Sequence, residues 1–285
     1  MIDLHTHTKF SDGNMSPEEL VDLAMNIGLS AIAITDHDVI DGIQPALNYI
    51  KNNNIDIRII PGIEISCDEP DSGFKEVHVI GLLIDHENKD LIKFCNGLKE
   101  SRIEQKMMMI RNLQKIGFDI TYEDIKETVG ASFGRPHIAR FLVDKYPDKF
   151  ITIKDVFDRY LGMNKPAYVH RKDKCSIKQA IKIIKVSGGI SILAHPGVYG
   201  KEDSLELIRI FKNLGGQGIE TYYPYHATCP DLKIDANENN NLIRFYRNKA
   251  LLFGLLESGG SDFHGENRNT ISDISVPDNL LDNFR

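Results

Sequence analysis

Short hydrophobic segments that end in histidine or acidic residues recur along the whole chain. They end at His5 and His7, at His37, at Glu64, at His78, at His195, and at Asp262 and His264. Alternate side chains of a strand share a face, so the i, i+2 spacing of the first and last pairs points both members of each pair in one direction. Many strand ends meet at one rim when a sheet closes on itself. The pattern therefore favours a closed or nearly closed barrel over a flat sheet.

Length and composition fit one large α/β domain, with or without an inserted segment. The chain has 285 residues, of which 41% are hydrophobic and 26% are charged, an ordinary balance for a globular protein. The formal net charge of −7 argues against the coating of long nucleic acids, which requires many lysines and arginines to neutralise phosphates. A small phosphorylated substrate held by cations is compatible with this charge, because the carboxylates that bind cations count as negative.

Cysteine usage and the absence of targeting segments predict a cytoplasmic protein. The four cysteines lie far apart without a CxxC pair, so we expect reduced thiols rather than a disulfide framework or a cysteine zinc site. No apolar run approaches the ~20 residues that cross a bilayer, and no signal-peptide pattern precedes the first strand. Because a cleaved leader would remove His5 and His7, we expect the mature chain to begin near residue 1.

Seven strand-like segments alternate with helical segments on either side of a central helical stretch. The strands are predicted at residues 1–7, 31–34, 57–67, 77–84, 190–194, 218–223 and 251–257. This alternation implies parallel pairing through right-handed crossovers. Ser16 and Glu19 predict a capping box at the start of the first helix.

The central stretch breaks the alternation and predicts helices alone. These helices are predicted at residues 102–116, 122–128, 137–145 and 153–161. We therefore predict a first barrel part at residues 1–100, a helical insertion that caps the substrate at residues 101–162, and a second barrel part at residues 163–285.

The residue types at the strand ends predict a metal site. Imidazole nitrogens suit Mn²⁺, Fe²⁺ or Zn²⁺, and carboxylates such as those of Glu64 and Asp262 can bridge two cations. One histidine at a strand end is more often an ordinary polar residue, but the recurrence at five or more strand ends favours the metal site. Nine candidate ligands exceed the needs of one cation, so two or three cations are predicted. The ligands are His5, His7, Asp12, His37, Glu64, His78, His195, Asp262 and His264.

In combination these segments resemble the PHP family, named for polymerase and histidinol phosphatase domains, over essentially the whole chain. The matching motifs are HTHTKFSDG at residues 5–13, TDHD at residues 35–38, Glu64, His78, the pair His195 and Pro196, and DFHG at residues 262–265. The resemblance implies a distorted (β/α)7 barrel with three metal ions at its C-terminal rim. By this resemblance the first ion is held by His5, His7, Glu64 and Asp262, the second by Glu64, His78 and His195, and the third by Asp12, His37 and His264.

Two segments of the insertion resemble one branch of that family. FGRPHIA at residues 133–139 and YLGMNKPAYV at residues 160–169 are similar to segments of phosphatases for nucleoside 3′,5′-bisphosphates and 5′-mononucleotides, and of 5′-to-3′ exoribonucleases for short oligonucleotides. Arg135 can bind a phosphate bidentately, and His137 can donate to another phosphate oxygen. Alternatively, both residues brace the insertion.

Three further residues are weaker candidates for substrate contact. Lys165 and Arg171 are basic, and such residues are usually solvated. His226 lies in a tyrosine-rich segment after the sixth predicted strand, which either lines a pocket for a base or packs against the barrel.

The predicted chemistry is hydrolysis of a phosphate ester by a hydroxide held between two cations. The residues predicted to take part are Asp12, His37, Glu64, His195 and Asp262. The predicted partner is a small nucleotide or a short oligonucleotide, with no membrane and no long duplex. The alternatives are a histidinol-phosphate phosphatase, an amidohydrolase-type metal hydrolase and a non-catalytic metal-binding regulatory module.

Overall fold

The computed structural model describes residues 1–69, 72–126, 134–170, 174–265 and 270–284. In these residues one sheet of seven strands follows chain order from β1 to β7. The strands are β1 (Ile2–Asp3), β2 (Ala31–Ile34), β3 (Arg58–Glu69), β4 (Phe74–Leu82), β5 (Ile190–Leu193), β6 (Gly218–Tyr222) and β7 (Leu256–Gly259). Each of the seven predicted strands overlaps an observed strand, although β1 is much shorter than residues 1–7.

The sheet is mixed, so the prediction of parallel pairing throughout is wrong. Strands β1, β2 and β3 pair in parallel, as do β5, β6 and β7. Strand β4 is antiparallel to both of its neighbours. Only the short segment between Glu69 and Phe74 separates β3 from β4, and a parallel crossover needs a dozen or more residues. The two strands therefore form a hairpin.

The barrel closes through the segments that follow β1 and β7. Leu4 N donates to Gly259 O at 3.1 Å, and His7 N donates to Phe263 O at 2.9 Å. Thr6 forms a parallel bridge with Phe263. The chain therefore forms the distorted α/β barrel that we predicted, with its closing seam at the rim beyond the two strand ends.

Ten α-helices accompany the sheet in the described ranges. They are α1 (Pro17–Asn26), α2 (Ile43–Asn53), α3 (Lys89–Ile116), α4 (Tyr122–Lys126), α5 (Arg135–Lys145), α6 (Ile153–Val156), α7 (Ile177–Val186), α8 (Lys201–Asn213), α9 (Tyr225–Thr228) and α10 (Ala236–Phe253). A π-helical turn, Phe157–Leu161, continues α6. The predicted capping box of α1 is present, since Glu19 N donates to Ser16 Oγ and Ser16 N donates to the Glu19 carboxylate. None of the helices in the described ranges is long and apolar enough to cross a membrane.

The predicted strand at residues 251–257 is partly wrong. Helix α10 continues to Phe253, and β7 begins only at Leu256. Gly254, with a φ of +58°, ends the helix as glycine commonly does. Leu251 and Leu252 are 82% and 71% exposed, so the apolar run that suggested a strand lies on the solvent face of a helix.

The residues of the predicted insertion have a hydrophobic cluster of their own. It includes Met109, Phe118, Leu142 and Phe150, and all its buried members lie between residues 109 and 167. Helix α3 joins this cluster to the barrel, because its first half packs Leu91 and neighbours against the barrel core and its second half packs in the insertion cluster. The predicted boundary at residue 101 therefore falls inside one continuous helix.

Candidate metal centre

The nine candidate ligands come together at one rim of the barrel. His5 and His7 follow β1, His37 follows β2, and His195 follows β5. Glu64 and His78 lie on the paired strands β3 and β4, while Asp262 and His264 follow β7. Eight of them form three overlapping groups, and the nitrogen and oxygen atoms within each group lie within 4.8 Å of one another. His195 adjoins these groups, with its Nε2 3.3 Å from Glu64 Oε1. The side chains that are far apart in sequence are thus neighbours in space.

The first group contains residues from the segments after β1 and β7 and from strand β3. It consists of His5, His7, Glu64 and Asp262. His5 Nε2 and His7 Nε2 both lie 3.3 Å from Glu64 Oε2. The same two nitrogens lie 3.3 and 3.1 Å from Asp262 Oδ1. Two imidazole nitrogens and two carboxylate oxygens therefore face a common point.

The second group consists of His37, Glu64 and His78, whereas the resemblance implied His195 in place of His37. His78 Nδ1 lies 3.0 Å from Glu64 Oε1, and His195 Nε2 lies 3.3 Å from the same oxygen. The two imidazole nitrogens are 3.3 Å apart. His37 approaches the other oxygen of Glu64, with its Nδ1 2.9 Å from Oε2. The carboxylate of Glu64 thus faces two sets of donors at once.

The third group surrounds Asp12, and it is larger than the resemblance implied. Asp12 Oδ1 lies 3.1 Å from His264 Nε2 and 3.7 Å from His37 Nε2. His7 belongs to the group as well, with its Nδ1 4.0 Å from the same oxygen. His7 and His37 therefore each direct one ring nitrogen toward Asp12 and the other ring nitrogen toward Glu64.

The chemistry of the donor set fits divalent cations. His5 Nε2, His7 Nε2, His37 Nδ1 and Glu64 Oε2 are buried and have no partner with hydrogen-bond geometry among the described residues. A buried polar atom left without a partner costs about 1–3 kcal/mol, so four together need another source of stabilisation. Imidazole nitrogen mixed with carboxylate oxygen is a common ligand set for Mn²⁺, Fe²⁺ and Zn²⁺.

Opposite charges inside the cluster shift the pKa values of its members. Burial by itself lowers the pKa of His7, but the carboxylates of Asp262 and Glu64 outweigh burial and raise that pKa to about 10. Burial by itself raises the pKa of Glu64, yet the surrounding imidazoles, led by His37, hold it well below its usual range. A proton on His7 and a cation would compete for the same nitrogen.

Two residues of the β6 segment orient the candidate ligands. Glu220 is fully buried, and its carboxylate accepts from His5 Nδ1 at 3.1 Å and from the backbone N–H of His195 at 2.8 Å. Tyr223 Oη donates to Asp262 Oδ2 at 2.7 Å. Such contacts fix which ligand atom faces the centre. Glu220 leaves His5 Nε2 free to point toward Glu64.

The loop that carries Asp12 is shaped by the buried carboxylate of Asp36. Asp36 accepts hydrogen bonds from Thr8 N at 2.8 Å, Thr8 Oγ1 at 2.7 Å and Ser11 Oγ at 2.5 Å. These bonds turn residues 8–12 back over the barrel rim. They explain how a ligand located in a loop reaches the histidines on the strands.

Three residues at the rim have strained backbone conformations. Asp38, His195 and Asp262 have φ values of +58°, +27° and +54°, in the left-handed region that non-glycine residues rarely adopt. Each such residue costs about 1–3 kcal/mol, and such strain is concentrated at functional sites. The backbone thus turns sharply at the points where candidate ligands are presented.

A cavity of about 260 Å³ adjoins the cluster beside Asp12, His37 and His78. Four basic side chains contribute to its wall, namely Arg102, Lys106, Arg135 and Lys174. The sequence predicted only Arg135. Arg102 and Lys106 are four residues apart on α3 and so share a helix face. This spacing is the sequence pattern that could have identified them. Lys174 had no such signal.

The other predicted substrate residues lie in different positions. His137 Nδ1 accepts from Gly134 N at 2.9 Å. This contact matches the alternative in which His137 braces the insertion. Lys165 lines a second, wider groove of about 830 Å³ that reaches Asp262 and His264. His226 lies in α9, and its backbone N–H donates to Asn239 Oδ1. Arg171 lies outside the described residues.

Known proteins are similar to this chain in sequence and in fold. The sequence model of the PHP domain matches residues 3–169. The 5′-3′ exoribonuclease Rnm of Escherichia coli strain K12 is 34% identical over 265 residues, which cover 92% of this chain and 84% of the relative. The 3′,5′-nucleoside bisphosphate phosphatase of Chromobacterium violaceum is 32% identical over 271 residues, which cover 92% and 87%.

A solved structure agrees with these relatives. It is described as a candidate metal-dependent phosphoesterase from Bifidobacterium adolescentis, and it superposes with a TM-score of 0.81 at 25% identity over 99% of this chain and 94% of its own. The fold, the donor groups and the relatives define an enzyme that uses divalent metal to hydrolyse phosphate esters. The chain belongs to the PHP domain family.

Proposed function

We propose that the protein hydrolyses a phosphate ester of a small nucleotide or at the 5′ end of short RNA. The small nucleotide is a nucleoside 3′,5′-bisphosphate or a 5′-mononucleotide. The observation that carries this proposal is the contact between the donor cluster and the cavity whose wall includes Arg102, Lys106, Arg135 and Lys174. Ester hydrolysis at a metal centre and binding of a second phosphate can then occur side by side. The relatives named for bisphosphates and for short RNA processing support the same substrate class.

The nine candidate ligands are proposed to hold two or three ions of Mn²⁺, Fe²⁺ or Zn²⁺. They are His5, His7, Asp12, His37, Glu64, His78, His195, Asp262 and His264. Divalent cations supply an activated water nucleophile and offset the charge of phosphate oxygens. Within this set, Asp12, His37, Glu64, His195 and Asp262 are the proposed catalytic residues.

The protein's own groups contribute orientation and charge. Glu220 holds the ring of His5, and Tyr223 holds the carboxylate of Asp262, so the ligand atoms are positioned before substrate arrives. Arg135 is proposed to bind a phosphate bidentately, since guanidinium matches two phosphate oxygens. Lys174, whose side chain is only 6% exposed, lies in the cavity wall and pairs with the carboxylates of Asp68 and Glu76.

We further propose that residues 101–162 cap the substrate. The separate hydrophobic cluster of this region and the presence of Arg102, Lys106 and Arg135 at the cavity wall support that role. His137, Lys165, Arg171 and His226 remain proposed substrate contacts on sequence grounds. Of these, Lys165 has the additional support of lining the groove beside Asp262 and His264.

The decisive experiment measures turnover after chelator treatment and return of Mn²⁺, Fe²⁺ or Zn²⁺. The substrates are adenosine 3′,5′-bisphosphate, AMP and a 5′-phosphorylated RNA dinucleotide. We expect no turnover without metal and restored turnover with at least one ion. Comparison of the three rates separates phosphatase from exonuclease activity, because only the dinucleotide requires space for a further nucleotide.

Two control substrates test the alternative enzyme classes in the same assay. Histidinol phosphate tests the related phosphatase, and a panel of amides tests the amidohydrolase. Amidohydrolases bridge metals with a carbamylated lysine or a glutamate, so Glu64 is compatible with both classes. The loop ligand Asp12 and the pair Asp262 and His264 fit the amidohydrolase pattern poorly and favour the phosphoesterase. Bound metal without turnover of any phosphate ester would contradict the proposal and favour the regulatory module.

A further inference from the structure

A β-bulge lies where the side chain of Glu76 enters the wall of the cavity beside the donor cluster. Cys67 pairs with Val77 and Glu69 pairs with Phe74, so two residues of β4 oppose the single residue Asp68 of β3. One of the two is Glu76, whose φ is +55°. Bulges redirect side chains and are common next to active sites. A left-handed conformation at a non-glycine residue persists only where neighbouring contacts stabilise it.

Side chains from both sides hold the backbone of Glu76 in this conformation. Its N–H donates to Asp68 Oδ1 at 2.9 Å, and its carbonyl accepts from Tyr199 Oη at 2.8 Å. The strand ladder is interrupted here, and these two bonds replace it. The conformation of Glu76 is therefore built by specific partners rather than by regular pairing.

The carboxylate of Glu76 binds three groups around the cavity. Its Oε1 accepts from Lys174 Nζ at 2.8 Å and from Tyr168 Oη at 3.2 Å. Its Oε2 lies 3.8 Å from Arg135 Nη2. Three carboxylates, those of Asp12, Asp38 and Glu76, line this cavity. Because a carboxylate repels a phosphate, the benefit of Glu76 lies in the groups that it contacts.

That benefit is the placement of Arg135. The guanidinium carbon of Arg135 lies 5.6 Å from the ring centre of Tyr168 and 5.8 Å from that of Phe157. Glu76 thus contacts Arg135 directly and also holds the tyrosine ring beside it. Arg135 begins α5 of the insertion, whereas Glu76 belongs to the barrel strand β4, so the contact joins the two parts.

We propose that Glu76 is a positioning residue that holds Arg135 of the insertion at the cavity wall, where the guanidinium meets a substrate phosphate. This inference rests on the proposed function, which supplies the role of Arg135. Lys174 takes part by pairing with both carboxylates of the bulge, at 3.2 Å from Asp68 Oδ1 and 2.8 Å from Glu76 Oε1.

Kinetics of the metal-loaded enzyme with adenosine 3′,5′-bisphosphate test the proposal. Glu76→Gln should raise KM about tenfold, because an Arg135 released from its 3.8 Å ion pair is no longer held in position for the phosphate, and should leave kcat within about twofold. Glu76→Asp should recover part of the loss. In an Arg135→Met background, Glu76→Gln should change KM no further, because the residue that it positions is absent. Glu257→Gln is the matched control, since it breaks a 2.7 Å pair with Arg247 away from this cavity.

Amide hydrogen exchange provides a second readout that needs no substrate. Exchange in residues 134–145 should accelerate in Glu76→Gln and stay unchanged in Glu257→Gln. An unchanged or lowered KM, the same rise in KM with and without Arg135, or unaltered exchange would overturn the positioning role. Absence of bisphosphate turnover by the unsubstituted enzyme would instead contradict the proposed function, while the exchange measurement would still test Glu76.

Discussion

Glu64 Oε1 lies 3.0 Å from His78 Nδ1 because β3 and β4 run antiparallel. Glu64 pairs in register with Ile80, and His78 pairs with Ser66, so Glu64 and His78 are diagonal neighbours on one face of the hairpin. Such neighbours are within reach of long side chains. The reversal of β4 thus brings an imidazole to the carboxylate that two donor groups share.

Removal of a proposed ligand should abolish activity. We expect His7→Ala and Asp262→Ala each to lower kcat/KM by more than about 100-fold, since each removes an atom that faces the centre of a donor group. Metal content measured by elemental analysis should fall in parallel. His86→Ala is the control, because this histidine contacts Gln44 on the surface. Wild-type rates in either ligand variant would refute the assignment.

Loss of the Glu220 contact should weaken metal binding without unfolding the protein. Glu220→Gln changes the group that orients His5 and binds the His195 backbone, and loss of such an orienting partner costs about 10–100-fold in metal affinity or activity. Competition with a chelating dye measures the affinity. Glu257→Gln on the neighbouring strand should bind metal normally. Equal affinities for all three proteins would show that the orientation of His5 contributes nothing.

The Glu76 ion pairs should make stability depend on acid pH. Burial would raise the pKa of Glu76, but Lys174 and Arg135 outweigh it and lower that pKa from 4.5 to about 2. A depressed pKa contributes stability that is complete above the unfolded value and is lost as pH falls from about 4.5 to about 2. The stability advantage of wild type over Glu76→Gln, measured by urea unfolding in chelator, should therefore be largest near pH 6. An advantage that stays constant down to pH 3 would contradict these ion pairs.

The insertion cluster should depend on Phe150. Phe150 is 2% exposed and its ring centre lies 5.8 Å from those of Phe118 and Tyr160. Phe150→Ala should destabilise the protein by about 3–5 kcal/mol through lost burial and a residual cavity. Its neighbour Ile151 is 88% exposed, so Ile151→Ala should change stability by no more than about 0.5 kcal/mol. Similar denaturant midpoints for the two variants would contradict the packing.

The barrel seam should not tolerate a side chain at Gly260. A Cβ there would lie 2.4 Å from the backbone nitrogen and the Cβ of His5, so the segments after β1 and β7 would have to separate. Gly260→Ala should therefore lower both stability and metal content. A Cβ added at Gly97 in α3 would meet no atom within 4 Å, so Gly97→Ala should stabilise the helix by about 0.5–1 kcal/mol. Thermal unfolding and elemental analysis of both variants check the contrast.

Local patterns were sufficient to predict most elements and the candidate ligands. Strands, helices and the Ser16 cap follow from short-range periodicity and capping chemistry, which depend on a few adjacent residues. The candidate ligands were recognisable because each lies in or beside a short motif, such as HTHTKFSDG. Residues 251–253 were wrongly predicted because an exposed apolar stretch of helix has the same composition as a strand.

Relationships between distant residues required the folded chain. The direction of β4, the seam between Leu4 and Gly259, and the sharing of His7 and His37 between donor groups all depend on how strands meet. The pairing of Glu76 with Lys174 joins residues 98 positions apart through a bulge that no local pattern encodes. Side-chain chemistry is a property of single residues and short motifs. The distances between side chains and the directions of the strands arise only when the barrel closes, because packing and pairing act between segments that are far apart in the sequence.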